Sequence, residues 1–396
     1  MSQVVVVGAG VYGVTAALEL RQRGHHVQLL DPGPLPHPLA ASTDISKAIR
    51  LDYGPDEDYT AWMEIALRHW REWNTEWVEP LFHEVGVLFL CRAPMSPGGL
   101  EYESFRVLSE RGHHPERLTA DDIRHLYPAW KSAGYVDGYF NPQGGYAQSG
   151  RVISWLIERA CAAGVELHEG QAFECFIESG SRVTGIVTRD GTRFDAERVI
   201  IAAGAWTPHI LRNSIPEAKA MFRSNGMPVF HLKPAEATFF KAEWFPVFSA
   251  DVSTTGYYGF PLHPLNGVVK IANHGLGRSL HPEAPERVVT EHEIAALRAF
   301  LADTCPALAD APVVHTRVCL YCDTWDGHFW IAPDPEHAGV IVATGGSGHG
   351  FKFAPVLGSL IADATEGRPN PLLPKFRWRP EVHPPRSEDA ARYQTE

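Results

Sequence analysis

The sequence predicts an α/β protein: a Rossmann-like nucleotide-binding domain interleaved with a second, strand-rich domain. Three observations predict it. A buried-strand pattern runs straight into Gly8-x-Gly10-x-x-Gly13 at the start of the chain. Two further strand-to-glycine segments lie far from it, at 197–207 and 339–367. Between them, stretches rich in proline and aromatic residues have another character.

Residues 4–31 carry most of the information. Val4–Val7 are all β-branched and apolar, as in a strand buried on both faces. A helical pattern runs from Val14 to Arg23, and Gly24 stands where a C-cap belongs. A second strand, Val27–Leu30, ends in Asp31. Gly8 permits the tight strand-to-helix turn, Gly10 lets a pyrophosphate approach the backbone, and Gly13 lets the helix pack on the sheet. The helix N-terminus meets phosphates, and Asp31 accepts bonds from ribose hydroxyls. A lone glycine motif is weak. Here strand, helix, second strand and terminal acid all fall in place, so a dinucleotide site is favoured over a glycine turn with no ligand.

A helix is expected at Val152–Ala163 and a short strand at Val165–His168. Val199–Ala202 reads as a buried strand leading into Ala203-Gly204-Ala205-Trp206. The last segment joins a strand, Val340–Ala343, to a loop with Gly345, Gly346, Gly348 and Gly350, then to a helix from Pro355 to Thr365. Its glycine spacing differs from the first, and no strand with a terminal acid follows. One nucleotide site fed from both ends of the chain explains it better than two. Residues 1–84, 145–214 and 315–380 are assigned to the nucleotide-binding domain. Residues 85–144 and 215–314 form the second domain, and their pattern suits an antiparallel sheet. The polar, proline-rich stretch from Arg379, with 381–396 as a tail, is expected to be loosely ordered. A large cofactor touched by three distant segments fits FAD better than NAD. Without a separate nicotinamide site, its electrons must go to oxygen or to an acceptor protein.

Composition narrows the partners. The chain has 396 residues, 44% hydrophobic and 21% charged, which is ordinary for a globular protein. A net charge of −12 argues against general nucleic-acid binding. No apolar run approaches a membrane span, and Met-Ser-Gln leads directly into the first strand, leaving no room for a signal peptide. The expected setting is the cytoplasm. Of six scattered cysteines, only Cys319-Leu-Tyr-Cys322 has C-x-x-C spacing. No second pair accompanies it, so neither a metal site nor a redox disulfide is expected.

Further motifs are Ser42-Thr-Asp-Ile-Ser-Lys47-Ala-Ile-Arg50-x-Asp-Tyr-Gly54, Tyr258-Gly-Phe-Pro261, Arg317-Val-Cys319-Leu-Tyr321, Asp326-Gly-His-Phe and Gly346-Ser-Gly-His-Gly-Phe-Lys-Phe353. With the opening glycines they make the chain resemble the flavin-dependent amine oxidases of the monomeric sarcosine oxidase and N-methyltryptophan oxidase type, within the D-amino-acid-oxidase superfamily. The resemblance runs from residue 4 to about residue 370. It implies an FAD-binding Rossmann-like domain with an interleaved mixed-sheet (α+β) substrate domain, acting as a monomer.

The resemblance also implies roles. Cys319 matches the cysteine bonded covalently to the flavin, whereas from pattern alone it reads as a small buried hydrophobe. Lys270 matches the lysine that activates oxygen, whereas V-V-K-I-A alone reads as the solvent-facing position of a strand. Arg50 and Lys352 match the pair that grips a substrate carboxylate. Tyr258 and His274 match residues that contact the bound amino acid, and His349 lies in the flavin-side loop. Lys47 stands where sarcosine oxidase has an arginine, and is placed beside the flavin with a catalytic role. Gly8, Gly10, Val11, Tyr12, Gly13, Asp31, Ser42, Thr43, Lys47, Ala203, Gly204, Trp206, Gly346, Gly348, His349, Gly350 and Lys352 are the remaining FAD contacts it implies. Ser-Thr-Asp-Ile-Ser-Lys is closer to members acting on fructosyl amino acids, pipecolate or saccharopine, which argues against sarcosine itself. The expected reaction is FAD-dependent oxidation of a secondary amino acid, N-alkyl, N-glycated or cyclic, to an imine, with oxygen reduced to hydrogen peroxide. The alternatives are an amine dehydrogenase passing electrons to a protein acceptor, and a non-catalytic FAD-binding subunit.

Overall fold

The computed structural model describes residues 1–130, 134–275 and 277–380; the expected tail at 381–396 lies outside them. Val4–Val7 are fully buried because Gln3–Val7 sits inside a six-stranded sheet. Its order is Trp330–Pro333, Val340–Thr344, Arg198–Ile201, Gln3–Val7, His26–Asp31, Glu166–Glu169. Five of these strands run parallel; Trp330–Pro333 is antiparallel to its neighbour. Helices cover one face: Val11–Gln22, Glu57–Glu76, Ser149–Ala162 and Ala354–Glu366 share one apolar core with it. The other face packs on the antiparallel meander Phe173–Ser179, Arg182–Thr188, Arg193–Asp195. The helix after the glycine turn starts at Val11, earlier than the Val14 expected. Gly10 caps it with no side-chain bond, so polarity marks no start; the Val11 N–H instead donates to Ser42 Oγ at 3.0 Å.

The second unit is a nine-stranded sheet. It is mixed rather than purely antiparallel, because Val247–Ala250 pairs parallel with Val87–Cys91. These two strands come from segments more than a hundred residues apart, so no hairpin constrains their direction. The long strands Phe222–Leu232 and Val313–Thr324 pair with each other along most of their length. A small fourth sheet, Lys47–Arg50, Gly144–Ala147 and Phe82–His83, carries two of the expected site residues. The polar stretch expected to loosen at Arg379 does not do so there. That side chain is buried and forms a bidentate pair with Asp326 at 2.6 and 2.8 Å. No helix among the described residues is long and apolar enough to cross a membrane.

Trp70, on the helix Glu57–Glu76, is fully buried against Trp73, Phe82 and Phe351. Its indole N–H donates to the Lys352 carbonyl at 2.7 Å, tying that helix to the turn Gly350–Phe353. Trp70→Ala is expected to cost about 3–5 kcal/mol through the cavity and the orphaned carbonyl. Trp70→Phe should cost less. Thermal unfolding of both variants checks the order.

Candidate active site

Two of the opening glycines cannot carry a side chain. A Cβ on Gly8, at φ +100°, would lie 2.6 Å from the Ala202 carbonyl oxygen, and one on Gly13 would land on the Gly8 carbonyl. The tight turn they permit opens a cleft of about 1220 Å³ above the parallel sheet. Gly8, Gly10, Val11, Tyr12, Asp31 and Ser42 line it from the first segment, Ala203, Gly204 and Trp206 from the second, and Gly346, Gly348 and Gly350 from the third. Asp31 accepts from the Ala9 and Gly33 N–H groups at 2.9 and 3.0 Å. Burial raises its carboxyl despite these bonds. Gly13 lies beneath the turn and does not line the cleft. Neither does Thr43, whose hydroxyl donates to the His37 carbonyl at 2.6 Å.

A second cavity of about 790 Å³ joins the far end of this cleft; Lys47, Tyr321, Gly348 and Phe351 line both. Arg50, Tyr258, His274, His349 and Lys352 line the second alone. His349 and Lys352 thus face the inner cavity rather than the dinucleotide end. Its remaining wall is mostly apolar: Val87, Phe89, Leu100, Val247, Phe248, Val252 and Phe260. Apart from Phe260, which falls in the Tyr258-Gly-Phe-Pro261 motif, these wall residues gave no readable signal, because their shared wall exists only once the nine-stranded sheet has formed.

The inner cavity brings together two basic side chains, neither of which contacts a carboxylate as an ion pair among the described residues. Arg50 Nη1 is buried without a hydrogen-bond partner. Lys352 Nζ donates to the Tyr53 hydroxyl at 3.1 Å, and both cations lie over the Tyr53 ring, at 5.2 and 5.0 Å from its centroid. Burial, and then the Arg50 charge, push the Lys352 ammonium well below its usual range. The nearby Asp52 does not pair with either. It is buried, which raises its carboxyl, and accepts from Tyr139 Oη at 2.8 Å. His349 Nε2 lies 3.0 Å from the Gly327 carbonyl, so that nitrogen carries the proton. Nδ1 then accepts from Tyr53 Oη at 3.1 Å, leaving the Tyr53 oxygen to accept from Lys352. Tyr53 is therefore a positioning residue for Lys352 that sequence reasoning missed.

Lys270 departs from the solvent-facing position that V-V-K-I-A alone suggests. It is 1% exposed, not solvent-facing, and it lines neither cavity. Its ammonium donates to Asp44 Oδ2 at 2.6 Å and to the Ser46 carbonyl at 2.5 Å, behind Lys47 and the Phe260 ring. Burial lowers it and Asp44 raises it; with Lys47 also lowering it, the net is about 8. Burial alone would raise the Asp44 carboxyl, but Lys270, His231, Lys47 and Arg317 together hold it well below the carboxylate range. Cys319 also lines neither cavity. Its Sγ lies 3.5 Å from Lys47 Nζ, and Lys47 and Arg317 bring the thiol down against the effect of burial. Cys322, three residues on, faces the cleft, and burial pushes its thiol up to about 11. An odd spacing on one strand sends the two cysteines to opposite faces, which is why their C-x-x-C spacing makes no pair. Among the described residues no cluster of His, Cys, Asp or Glu is arranged to hold a metal.

The long cleft fits an extended dinucleotide: a glycine turn and acid at one end, cations and a second cavity at the other. Comparison with known proteins agrees. Residues 3–364 match the profile of the family described as FAD dependent oxidoreductase (DAO). Monomeric sarcosine oxidase of a Bacillus species is 30% identical over 91% of this chain and 90% of its own. L-saccharopine oxidase of Schizosaccharomyces pombe is 27% identical over 95% of each. The crystal structure of the deglycating fructosamine oxidase (Amadoriase II) of Aspergillus fumigatus superposes with a TM-score of 0.82 at 27% identity, covering 96% of this chain and 90% of that one. With its glycine turn, its three-segment cleft and a family match over most of its length, the chain belongs to the DAO family of FAD dependent oxidoreductases.

Proposed function

We propose that this chain is an FAD-dependent oxidase of secondary amino acids whose body is apolar, N-alkyl or cyclic. The observation that carries the reading is the pair Arg50 and Lys352, the lysine buried and the arginine partly buried, with no ion-paired carboxylate among the described residues, at the point where the cleft meets an apolar cavity. A carboxylate seated there satisfies both charges; Arg50 offers a planar fork and Lys352 a point charge. The apolar wall then takes the rest of the substrate. A sugar polyol would bury hydroxyls against Val87, Phe89, Val247 and Phe248, which cannot bond them. The FAD, when bound, supplies acceptance of a hydride equivalent from the carbon beside the nitrogen and transfer of two electrons to oxygen. The chain's own part is to hold the substrate, exclude water, and place the Lys47 and Lys270 ammonium groups where oxygen gains negative charge.

Lys47 and Arg317 beside Cys319 favour a thiolate, and this supports covalent attachment of the cofactor at Cys319 rather than at Cys322. Forming that bond releases two electrons and two protons, which oxygen can take up. Six cysteines without disulfides, one needed as a free thiol, support a reducing compartment such as the cytoplasm. A peroxide-coupled screen of N-methyl, cyclic and N-glycated amino acids, each beside its amide, tests the assignment. No peroxide from any of them would sink it.

Removing either cation should raise KM for the acid far more than for the amide. The loss is on the order of 2–5 kcal/mol for a buried charge pair. If Arg50→Ala and Lys352→Ala oxidise both in the wild-type ratio, the carboxylate assignment is wrong. Acid-denatured wild type should pellet yellow. Cys319→Ser and Lys47→Met should release colour to the supernatant, whereas Cys322→Ser should not.

Lys270 is a cation with a lowered pKa, so its charge is present below about 8 and is lost as pH rises through that value. Reoxidation of the substrate-reduced enzyme by oxygen should therefore slow above pH about 8. Lys270→Met should be slow at every pH, by roughly a hundredfold or more. Stopped-flow spectra of the oxygen step measure both.

A further inference from the structure

Three strands bring a row of titratable residues from the sheet edge to Lys270. Val269–Asn273 pairs antiparallel with Phe222–Leu232, placing Lys270 opposite His231. Phe222–Leu232 pairs antiparallel with Val313–Thr324, placing His231 opposite His315. Directly opposed residues project from the same face of a sheet, so the three side chains form one row. Val313–Thr324 pairs only with Phe222–Leu232 among the described residues, and His315 on it is exposed.

The spacings along the row are short. The His315 and His231 ring centroids are 4.9 Å apart. His231 Nε2 is buried, has no hydrogen-bond partner, and lies 3.7 Å from Asp44 Oδ1. The other oxygen of Asp44 contacts Lys270 Nζ at 2.6 Å, both side chains being 2% exposed. Facing the row are Lys47 and the Ser46 carbonyl, Arg317 and Cys319 on the edge strand, His263, and Tyr258 with the Phe260 ring. A structural ion pair needs only Asp44 and Lys270. It does not call for a second imidazole beside His231 that continues the row to solvent.

We propose that His315, His231 and Asp44 are positioning residues that form a proton path between solvent and Lys270. The proposal rests on the reading that oxygen is reduced beside this lysine. Reduction of oxygen to hydrogen peroxide takes up two electrons and two protons. The electron pair and one proton leave the substrate as the hydride equivalent. The second proton leaves Lys270 Nζ; Asp44 passes one back to it from His231, and His315 recharges His231 from water. The amine N–H releases one proton to solvent for each one drawn in, so the balance closes.

The test uses His231→Ala, the size-conserving His231→Gln, and His315→Ala, each loaded with FAD and reduced anaerobically by substrate. The oxygen step should slow on the order of a hundredfold in the His231 variants, and added imidazole should restore His231→Ala but not Lys270→Met. In the cofactor-free protein labelled with 15N-lysine, hydrogen exchange at Lys270 Nζ should slow in the same variants and recover with imidazole. Wild-type reoxidation and exchange in His231→Gln would overturn the path, as would a slowing that imidazole leaves unchanged while exchange stays at the wild-type rate. Reoxidation of Lys270→Met at the wild-type rate would instead overturn the underlying reading, and the path's purpose with it.

Discussion

Positive charge held out of water is the constraint on which the rest of this site depends. Lys47, Arg50, Lys270 and Lys352 stand in or directly behind one joined cleft, in a chain whose net charge is −12. Among the described residues only Asp44 meets one of them as an ion pair. Burying an ion without a partner costs several kcal/mol. The fold sustains the excess because large apolar cores surround it and the sheets fix each cation's backbone. Every anion expected in the chemistry then finds a cation waiting. In the proposed reading a substrate carboxylate would meet Arg50 and Lys352, a sulfur at Cys319 would meet Lys47, and charge developing on oxygen would meet Lys47 and Lys270.

The topology explains how distant segments share that charge. The strand Lys47–Arg50 pairs with Gly144–Ala147, and Lys352 sits in the turn after the last glycine loop. Trp70 anchors that turn by its carbonyl, and Tyr53 anchors the Lys352 ammonium, so both ends of one lysine are held. A flexible four-carbon side chain is thereby given a defined position, which matters more for lysine than for the planar guanidinium of Arg50.

Legibility in the sequence followed range. Val4–Val7, the glycine turn and Asp31 are neighbours in the chain, and their local pattern suffices to place the dinucleotide end of the cleft. Lys270 is the opposite case. V-V-K-I-A alternates as a half-exposed strand would, yet Asp44, 226 positions earlier, covers it. Cys319 reads as an inert hydrophobe until Lys47, 272 positions away, is placed 3.5 Å from it. In both, the family resemblance pointed to the residue, while its electrostatic setting came only from the fold. His231 carried no signal at all, since a lone histidine in an apolar strand is ordinary and its meaning depends on the register with two other strands.

The balance at Lys270 shows why Asp44 is needed and why it is not enough by itself. Burial and the Lys47 charge both favour the neutral amine. Asp44, and more weakly Cys319, pull the other way. Together they leave it near 8, so a small change in surroundings moves a proton on or off. A group that gives up a proton in each turnover works best with a pKa near the operating pH. Neutralising Asp44 would remove the larger of the two charges that oppose Lys47, the sulfur of Cys319 being the other, and would shift Lys270 toward the neutral amine. The ion pair is thus better understood as a tuning element than as a brace for the fold.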